Sequence, residues 1–326
     1  MPAYNCQDLV GSALQSVLDQ TYDNLEVLIA DDGSFDRTRS VIDSFNDDRI
    51  RTFHNEENLG YLKTVNRLFV KASGDYICFQ DADDWSALDR IEKQLNVLIS
   101  DSLEACGTGI FYTDSKGKIL KRVVYPATTS DVRMNMLKGG ESACYASILF
   151  SKAILKSTGG YREFFKLGAE DVDWMLRLVE KHEFSNLDEP LYYYRFSPSS
   201  ITQATNILKL KASLGVAREM ALQRESGVDD FLQAGNEKAL SDRWSDIYAK
   251  LSEYPLAEDL HKINALLRRN AFWECVKVCA RIVRKNAPFR NKVEVIFSAL
   301  IKSILGMKNY QAVKSAFSKS AVISVD

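Results

Sequence analysis

One stretch constrains this chain more than any other: Tyr76-Ile-Cys-Phe79, then Gln80, then Asp81-Ala-Asp83-Asp84. A short apolar run of this kind reads as a buried strand, and it ends in three carboxylates within four residues. Charges at the end of an apolar strand cost free energy unless something positive sits among them. A divalent cation carrying a phosphate meets that need. A ligand set of oxygens alone points to a hard ion, Mg²⁺ or Mn²⁺, rather than zinc. The competing reading is a solvated turn in which Asp84 caps a helix from Ser86 to Ile99.

The residues before this stretch favour the first reading. Met1 to Asn5 reads as the end of a strand turning into a loop, and Asp8 to Gln20 carries a helical stripe of Leu9, Ala13, Leu14, Val17 and Leu18. Leu25 to Ala30 reads as a buried strand that ends in Asp31-Asp-Gly-Ser34, and Asp36 can cap a helix through Phe45. A strand over Arg49 to Phe53 and a helix from Leu59 to Ala72 follow. This alternation predicts a parallel sheet with helices on both faces. In such sheets ligands bind beyond the carboxyl ends of the strands, where three polar clusters then fall: Pro2 to Asn5, Asp31 to Ser34 and Asp81 to Asp84. The strand expected before Pro2, normally a central one, is missing, so we expect the reading frame to extend upstream.

After Ile99 the pattern changes. Ile110 to Tyr112 and Ile119 to Val124 read as a hairpin, Asp131 to Leu137 as a short helix, and Ala143 to Phe150 as a strand with a helix starting at Ser151. Gly168-Ala-Glu170-Asp171-Val-Asp173-Trp174 opens a helix. Acids in a first turn favour the helix dipole. They also suit a general base held at a fixed place beside a reacting hydroxyl. Trp174 reads as core or as an acceptor-site wall. Leu187 to Arg195 is strand-like, with Tyr192 to Tyr194 expected on an edge strand. No GxGxxG or GxxxxGK[ST] pattern occurs, which argues against dehydrogenases and P-loop enzymes.

The motifs Pro2-Ala-Tyr-Asn5, Gln20-Thr-Tyr22, Asp31-Asp-Gly-Ser34, Asn58-Leu-Gly60, Gly74-Asp-Tyr76, Asp81-Ala-Asp-Asp84 and Glu170-Asp171, in this order and spacing, resemble a family 2 glycosyltransferase of the GT-A fold, over about residues 1 to 200. The resemblance implies an α/β, Rossmann-like nucleotide-binding sheet followed by a C-terminal helical region, with domains at 1–203 and 204–326. By the same resemblance Pro2, Ala3 and Tyr4 cradle the nucleoside. Asp32 bonds the uracil edge with Asp31 beside it. Asn58, Gly60 and Lys63 approach the nucleotide sugar. Asp81 and Asp83 are the DxD pair that holds Mn²⁺ or Mg²⁺, with Asp81 also facing the donor. Asp171, beside Glu170, is the base of an inverting displacement. Many relatives carry Arg-x-His near the end of the catalytic region; here Arg195-Phe196-Ser197 places Ser where His stands, leaving Arg195 as the phosphate contact. The implied donor is a UDP-sugar and the implied acceptor a saccharide or lipid-linked saccharide, in cell-surface polysaccharide synthesis. A nucleotidyltransferase and a non-catalytic glycan- or nucleotide-binding module descended from a transferase are the rival readings. The first requires a basic Gly-rich loop near the first strand, which is absent.

Charge is unevenly spread. Leu260 to Ser320 holds 13 Lys/Arg against 2 Asp/Glu, whereas the whole chain has a net charge of -2. This basic helical tail, interleaved with Leu266, Leu267, Phe272, Trp273, Val276, Ile282 and Val283, suits either an anionic bilayer or a helical cap. No recognition motif supports nucleic acid as a partner. The six cysteines form no CxxC pair, which fits thiols in a reducing compartment. The opening residues do not read as a signal peptide, and no apolar run is long enough to span a bilayer. We expect a cytoplasmic protein that can sit at the inner face of the membrane.

Overall fold

The computed structural model describes residues 1–196, 206–253, 256–268 and 272–285, with scattered positions from 287 to 299. Ser197 and the later part of the basic tail lie outside them. The chain divides into two compact units: Met1–Thr205 with Ser213–Ser241, and Asn206–Ala212 with Asp242–Asp326.

The first unit begins as the alternation predicts. β1 (Pro2–Ala3), β2 (Val27–Asp31) and β3 (Ile50–His54) form a parallel sheet in that order, linked by α1 (Val10–Leu18) and α2 (Thr38–Asp43). Val10, Leu14, Val27, Ile29 and Ile42 bury the apolar side of this layer. In α3 (Tyr61–Lys71), Leu62, Val65, Leu68 and Phe69 recur at helical spacing and are buried, while Lys63 and Arg67 face water.

The expected single parallel sheet is not what forms. β4 (Tyr76–Cys78) joins a second, mixed sheet in the order β4-β8-β6-β9-β5, made with β5 (Trp85–Ser86), β6 (Ala105–Thr113), β8 (Leu149–Ser151) and β9 (Phe184–Arg195). β7 (Ile119–Val123) pairs with β6. β4 and β8 are antiparallel, and only β6 and β9 run parallel in this sheet. β4 takes its backbone partners from β8, a strand far along the chain that runs back against it. Two residues of β1 pair with the far end of β2, and the Met1 amine donates to the Leu28 carbonyl (2.8 Å), but among the described residues no backbone ladder joins this sheet to β4. A groove of about 480 Å³ lies between β2 and β4, walled by Leu68 and Phe69 of α3 and by Ile91 and Leu95 of α4 (Arg90–Ser100). Burial there pushes the Met1 amine down to about 5.

Two further expectations are corrected. Tyr192 to Tyr194 do not lie on an edge: β9 is flanked by β6 and β5, with Tyr192 fully buried. Ala143 to Phe150 is a 3₁₀ turn (Tyr145–Ser147) followed by the short β8. The helix after it, α6, covers Ile154–Thr158, and α5 covers Thr129–Leu137.

An aromatic core of Phe69, Phe79, Phe150, Tyr161 and Trp174 joins the layers; Phe150 and Trp174 centroids are 4.9 Å apart. Trp174 is 1% exposed and donates to the Gly159 carbonyl, so it is core and not an acceptor-site wall. It belongs to α7 (Glu170–Val179), entered through Gly168 (φ 113°) and Ala169 (φ 77°). Two residues in the left-handed region turn the chain sharply enough to aim the first turn of α7 inward. Asp173 locks the helix, accepting from both Arg162 and Arg177 at 2.8 to 3.1 Å. Arg162 also reaches Asp230, which ties the Ser213–Ser241 segment to α7.

The remaining helices are α8 (Ile207–Glu225), α9 (Glu237–Ser252), α10 (Ala257–Arg268) and α11 (Phe272–Arg284). Within the second unit, Leu256, Ile263, Val278, Ile282, Val295 and Ala299 form one apolar core. No described helix is long and apolar enough to cross a membrane.

Candidate active site

The site is built where apolar strands end. β2 terminates in Asp31 and Asp32, both nearly fully buried. Asp31 Oδ1 accepts from the Ser34 amide (3.2 Å). Asp32 is more heavily engaged. Its Oδ1 accepts from Asn55 Nδ2 (2.6 Å), Thr64 Oγ1 (2.8 Å) and the Leu59 amide (3.0 Å), and its Oδ2 from the Gly60 amide (2.9 Å). Asp32 thereby shapes the Asn58–Gly60 loop, and Oδ2 keeps lone-pair capacity for one more donor. Asn58 Oδ1 accepts from the Gly60 amide as well. Gly60, at φ 87°, starts α3, which carries Lys63 exposed on its first turn.

The Pro2–Asn5 segment is pinned alongside. Ala3 is buried and its carbonyl accepts from the Asp32 amide; Tyr4 is 42% exposed and meets Phe35 edge-on at 6.2 Å. Asn5, at φ 47°, exchanges bonds with Ser34 and Phe35. Gly33 sits at φ 72°, so close to the Glu57 backbone that a Cβ would lie 2.6 Å from it. Pro2, Ala3, Tyr4, Asp31, Asp32, Asn58 and Gly60 therefore come together on one sheet edge, as the sequence leads one to expect.

β4 leads into the second cluster. One carboxylate oxygen from each of Asp81, Asp83 and Asp84 lies within 4.8 Å of the others. Among the described residues no Lys or Arg forms an ion pair with any of them. Burial, then the neighbouring Asp83, pushes the Asp81 carboxyl up to about 7; burial also raises Asp83. Asp84 is the structural member. It is 1% exposed, and its Oδ1 accepts from the Arg195 amide (2.6 Å), so it does not cap the following helix. That leaves Asp81 and Asp83 free to hold a cation. A set of hard oxygens raised by burial and by one another fits a divalent ion of the Mg²⁺ or Mn²⁺ type.

Arg195 stands over this cluster from β9. Its Nε donates to the Asp83 carbonyl (2.9 Å), and its guanidinium lies 4.7 Å from the Trp85 ring centroid. Trp85 in turn stacks on Tyr193 at 5.0 Å. The guanidinium is thus oriented by a carbonyl and an aromatic face, and its charge partly offsets the rise of the Asp83 carboxyl.

Glu170 and Asp171, on the first turn of α7, complete the site. Burial, then repulsion from Asp171, pushes Glu170 up to about 8; burial pushes Asp171 up to about 6. Asp171 also raises Asp81, and Asp81 raises Glu170, so the two acidic clusters share one electrostatic site. Near neutral pH the pair holds one proton, on Glu170 in the simplest assignment, which leaves Asp171 ionised. Sequence reasoning missed the residues that connect the parts. Tyr61 Oη donates to Asp81 Oδ1 (3.4 Å), and the Tyr192 hydroxyl accepts from the Asp81 amide (3.1 Å). The position of Tyr61, directly after the Gly60 that opens α3, is the one local signal for it.

Fold and site together define an α/β transferase with an acidic, cation-ready cleft. The model for Glycosyl transferase family 2 matches residues 1–157. EpsE of Bacillus subtilis (strain 168), named as a glycosyltransferase, is 31% identical over 205 residues, spanning 60% of this chain and 71% of EpsE. The chain belongs to family 2 of the glycosyltransferases. The Escherichia coli protein WfaP, a UDP-Glc:alpha-D-GlcNAc-diphosphoundecaprenol beta-1,3-glucosyltransferase, is 29% identical over 225 residues, 66% of this chain and 84% of WfaP. Two other curated relatives are spanned over about half their length. TarS from S. aureus, in a structure complexed with UDP-GlcNAc, superposes with a TM-score of 0.60 at 18% identity, covering 98% of this chain and 90% of that one. This likeness establishes the GT-A fold. The family sets aside the nucleotidyltransferase reading.

Proposed function

We propose that this chain transfers a sugar, with inversion, from a UDP-sugar to a hydroxyl of a saccharide or lipid-linked saccharide during assembly of a cell-surface polysaccharide. The observation that carries the reading is the single electrostatic site shared by Asp81 and Asp83 at the end of β4 and Glu170 and Asp171 at the start of α7. Asp171 accepts the acceptor hydroxyl proton while that oxygen forms its bond to the anomeric carbon. The bond from that carbon to the diphosphate oxygen breaks, and the leaving group takes the electron pair. Pro2, Ala3, Tyr4, Asp31 and Asp32 form the nucleoside pocket, and Asn58, Gly60 and Lys63 its sugar side. Arg195 offers its oriented guanidinium to the diphosphate. Asp81 and Asp83 would hold Mn²⁺ or Mg²⁺, which when bound neutralises charge on the leaving group.

Residues 1–203 form the catalytic domain in this reading, with Ser213–Ser241 buttressing α7 through Asp230. The remainder of 204–326 is a basic extension that meets the inner face of the cytoplasmic membrane. The names of relatives such as WfaP, which pair a UDP-sugar with a diphospholipid acceptor, support this setting.

The test is a melting-temperature panel with UDP, dTDP, GDP and CMP, each with and without Mn²⁺. Ligands that bind only the folded state raise the midpoint. A rise with UDP that requires Mn²⁺ is expected. A rise with another nucleotide instead overturns the donor assignment. No rise with any of them, in a cooperatively melting protein, overturns the transferase reading in favour of a binding module that has lost its donor site.

A further inference from the structure

The outward face of α11 carries a feature that a solvated helix does not need. Its inner stripe, Cys275, Val278 and Ile282, is buried in the core of the second unit. On the opposite side Trp273 is 75% exposed, Val276 41% and Val283 60%, and Ala280 is exposed between them. The spacing of 273, 276, 280 and 283 places these four on one stripe of the helix. Scattered apolar residues on a surface are ordinary, but a contiguous stripe is not. Lys277, Arg281 and Arg284, also exposed, run along one flank of that stripe, and Glu274 is the only acid on the helix. With its inner stripe buried in its own unit, the exposed apolar stripe flanked by cations is the kind of surface that an interfacial helix presents to a bilayer.

We propose that this face of α11 docks on an anionic phospholipid bilayer, with Trp273, Val276 and Val283 entering the headgroup boundary while Lys277, Arg281 and Arg284 engage lipid phosphates. Charge complementarity selects this occupant, since 13 of the 15 charged Lys, Arg, Asp and Glu side chains from Leu260 to Ser320 are cations. The contact is peripheral, because no described helix crosses a membrane. This deepens the membrane contact proposed above and is independent of the donor and base assignments.

The test is co-sedimentation of the full chain with vesicles of phosphatidylcholine, with and without phosphatidylglycerol. Each cation near an anionic surface contributes a factor of about five in binding. Lys277→Glu with Arg281→Glu and Arg284→Glu should weaken partitioning at least a hundredfold or so, and Trp273→Ser with Val283→Ser should weaken it on anionic vesicles too. All five positions are exposed, and circular dichroism checks that the variants stay folded. A wild-type chain that ignores anionic vesicles refutes the membrane contact altogether. A wild-type chain that binds them, with both variants binding equally well, keeps the contact and refutes this face. A concentration-dependent dimer that the same variants abolish, without vesicle binding, assigns the face to a second copy and also overturns the proposal.

Discussion

Glu170→Gln is the substitution that tests the electrostatics of the site most directly. In the folded chain the Glu170 carboxyl is raised from an ordinary 4.5 to about 8, chiefly by burial and then by Asp171. A group whose folded value lies above its unfolded value stabilises the fold fully only below the unfolded value, and that stability is lost as pH rises through the folded one. The window is therefore about 4.5 to 8. Full ionisation against such a shift corresponds to roughly 5 kcal/mol. Glu170 keeps partial contact with water, so screening leaves about 2 kcal/mol. Glutamine removes the ionisation while keeping the shape. The variant should melt roughly 5 °C above wild type near pH 9 and close to wild type near pH 4.5, by thermal denaturation in the absence of divalent ions. Because Asp171 is ionised above about 6, the variant should keep the rise of kcat/KM through that pH. An equal midpoint gain at both pH values, or a loss at the higher one, would refute the reasoning.

Other expectations concern single parts. Asp171→Asn should lower kcat by about 10² to 10⁴ while leaving the midpoint rise with UDP and Mn²⁺ unchanged; a variant with full turnover removes the base assignment. Asp173→Asn leaves Arg162 and Arg177 facing each other without their shared buried carboxylate. The expected cost is about 3–5 kcal/mol by urea denaturation, and a cost near zero would mean α7 is held in some other way. Gly33→Ala drives a Cβ into the Glu57 backbone at a left-handed φ. It should destabilise by about 2 kcal/mol and weaken UDP binding measured by calorimetry.

What could be read from the sequence followed a simple rule: where an apolar run breaks into acids, a strand ends and a site begins. Asp31 to Ser34 and Asp81 to Asp84 were legible for that reason, and Glu170 and Asp171 because Gly168 and three acids mark a helix start. The partners of those acids were not legible. Asp32 bonds Asn55 and Thr64, and Tyr192 lies 111 residues from the Asp81 amide that it accepts from. Such pairings are fixed by the packing of distant elements and leave no local periodicity. The same limit explains the sheet. Alternating strands and helices favour parallel pairing, yet β4 pairs antiparallel with β8, a strand far along the chain. Asp84 looked like a helix cap in one reading because caps are local, whereas its bond to the Arg195 amide is not.

The groove between β2 and β4 has a mechanical consequence. Asp31 and Asp32, which we propose to hold the nucleoside, end one of these strands, and Asp81 follows the other. Among the described residues no ladder of backbone hydrogen bonds joins the two, so in the proposed reading the spacing between nucleobase and diphosphate rests on side-chain packing, including α3 and α4 that wall the groove. Side-chain packing is more compliant than a bonded sheet, and alternate amides of β4 point into the groove rather than toward β8. In amide hydrogen exchange those amides should exchange early, and a bound nucleotide diphosphate that spans both strand ends should slow them.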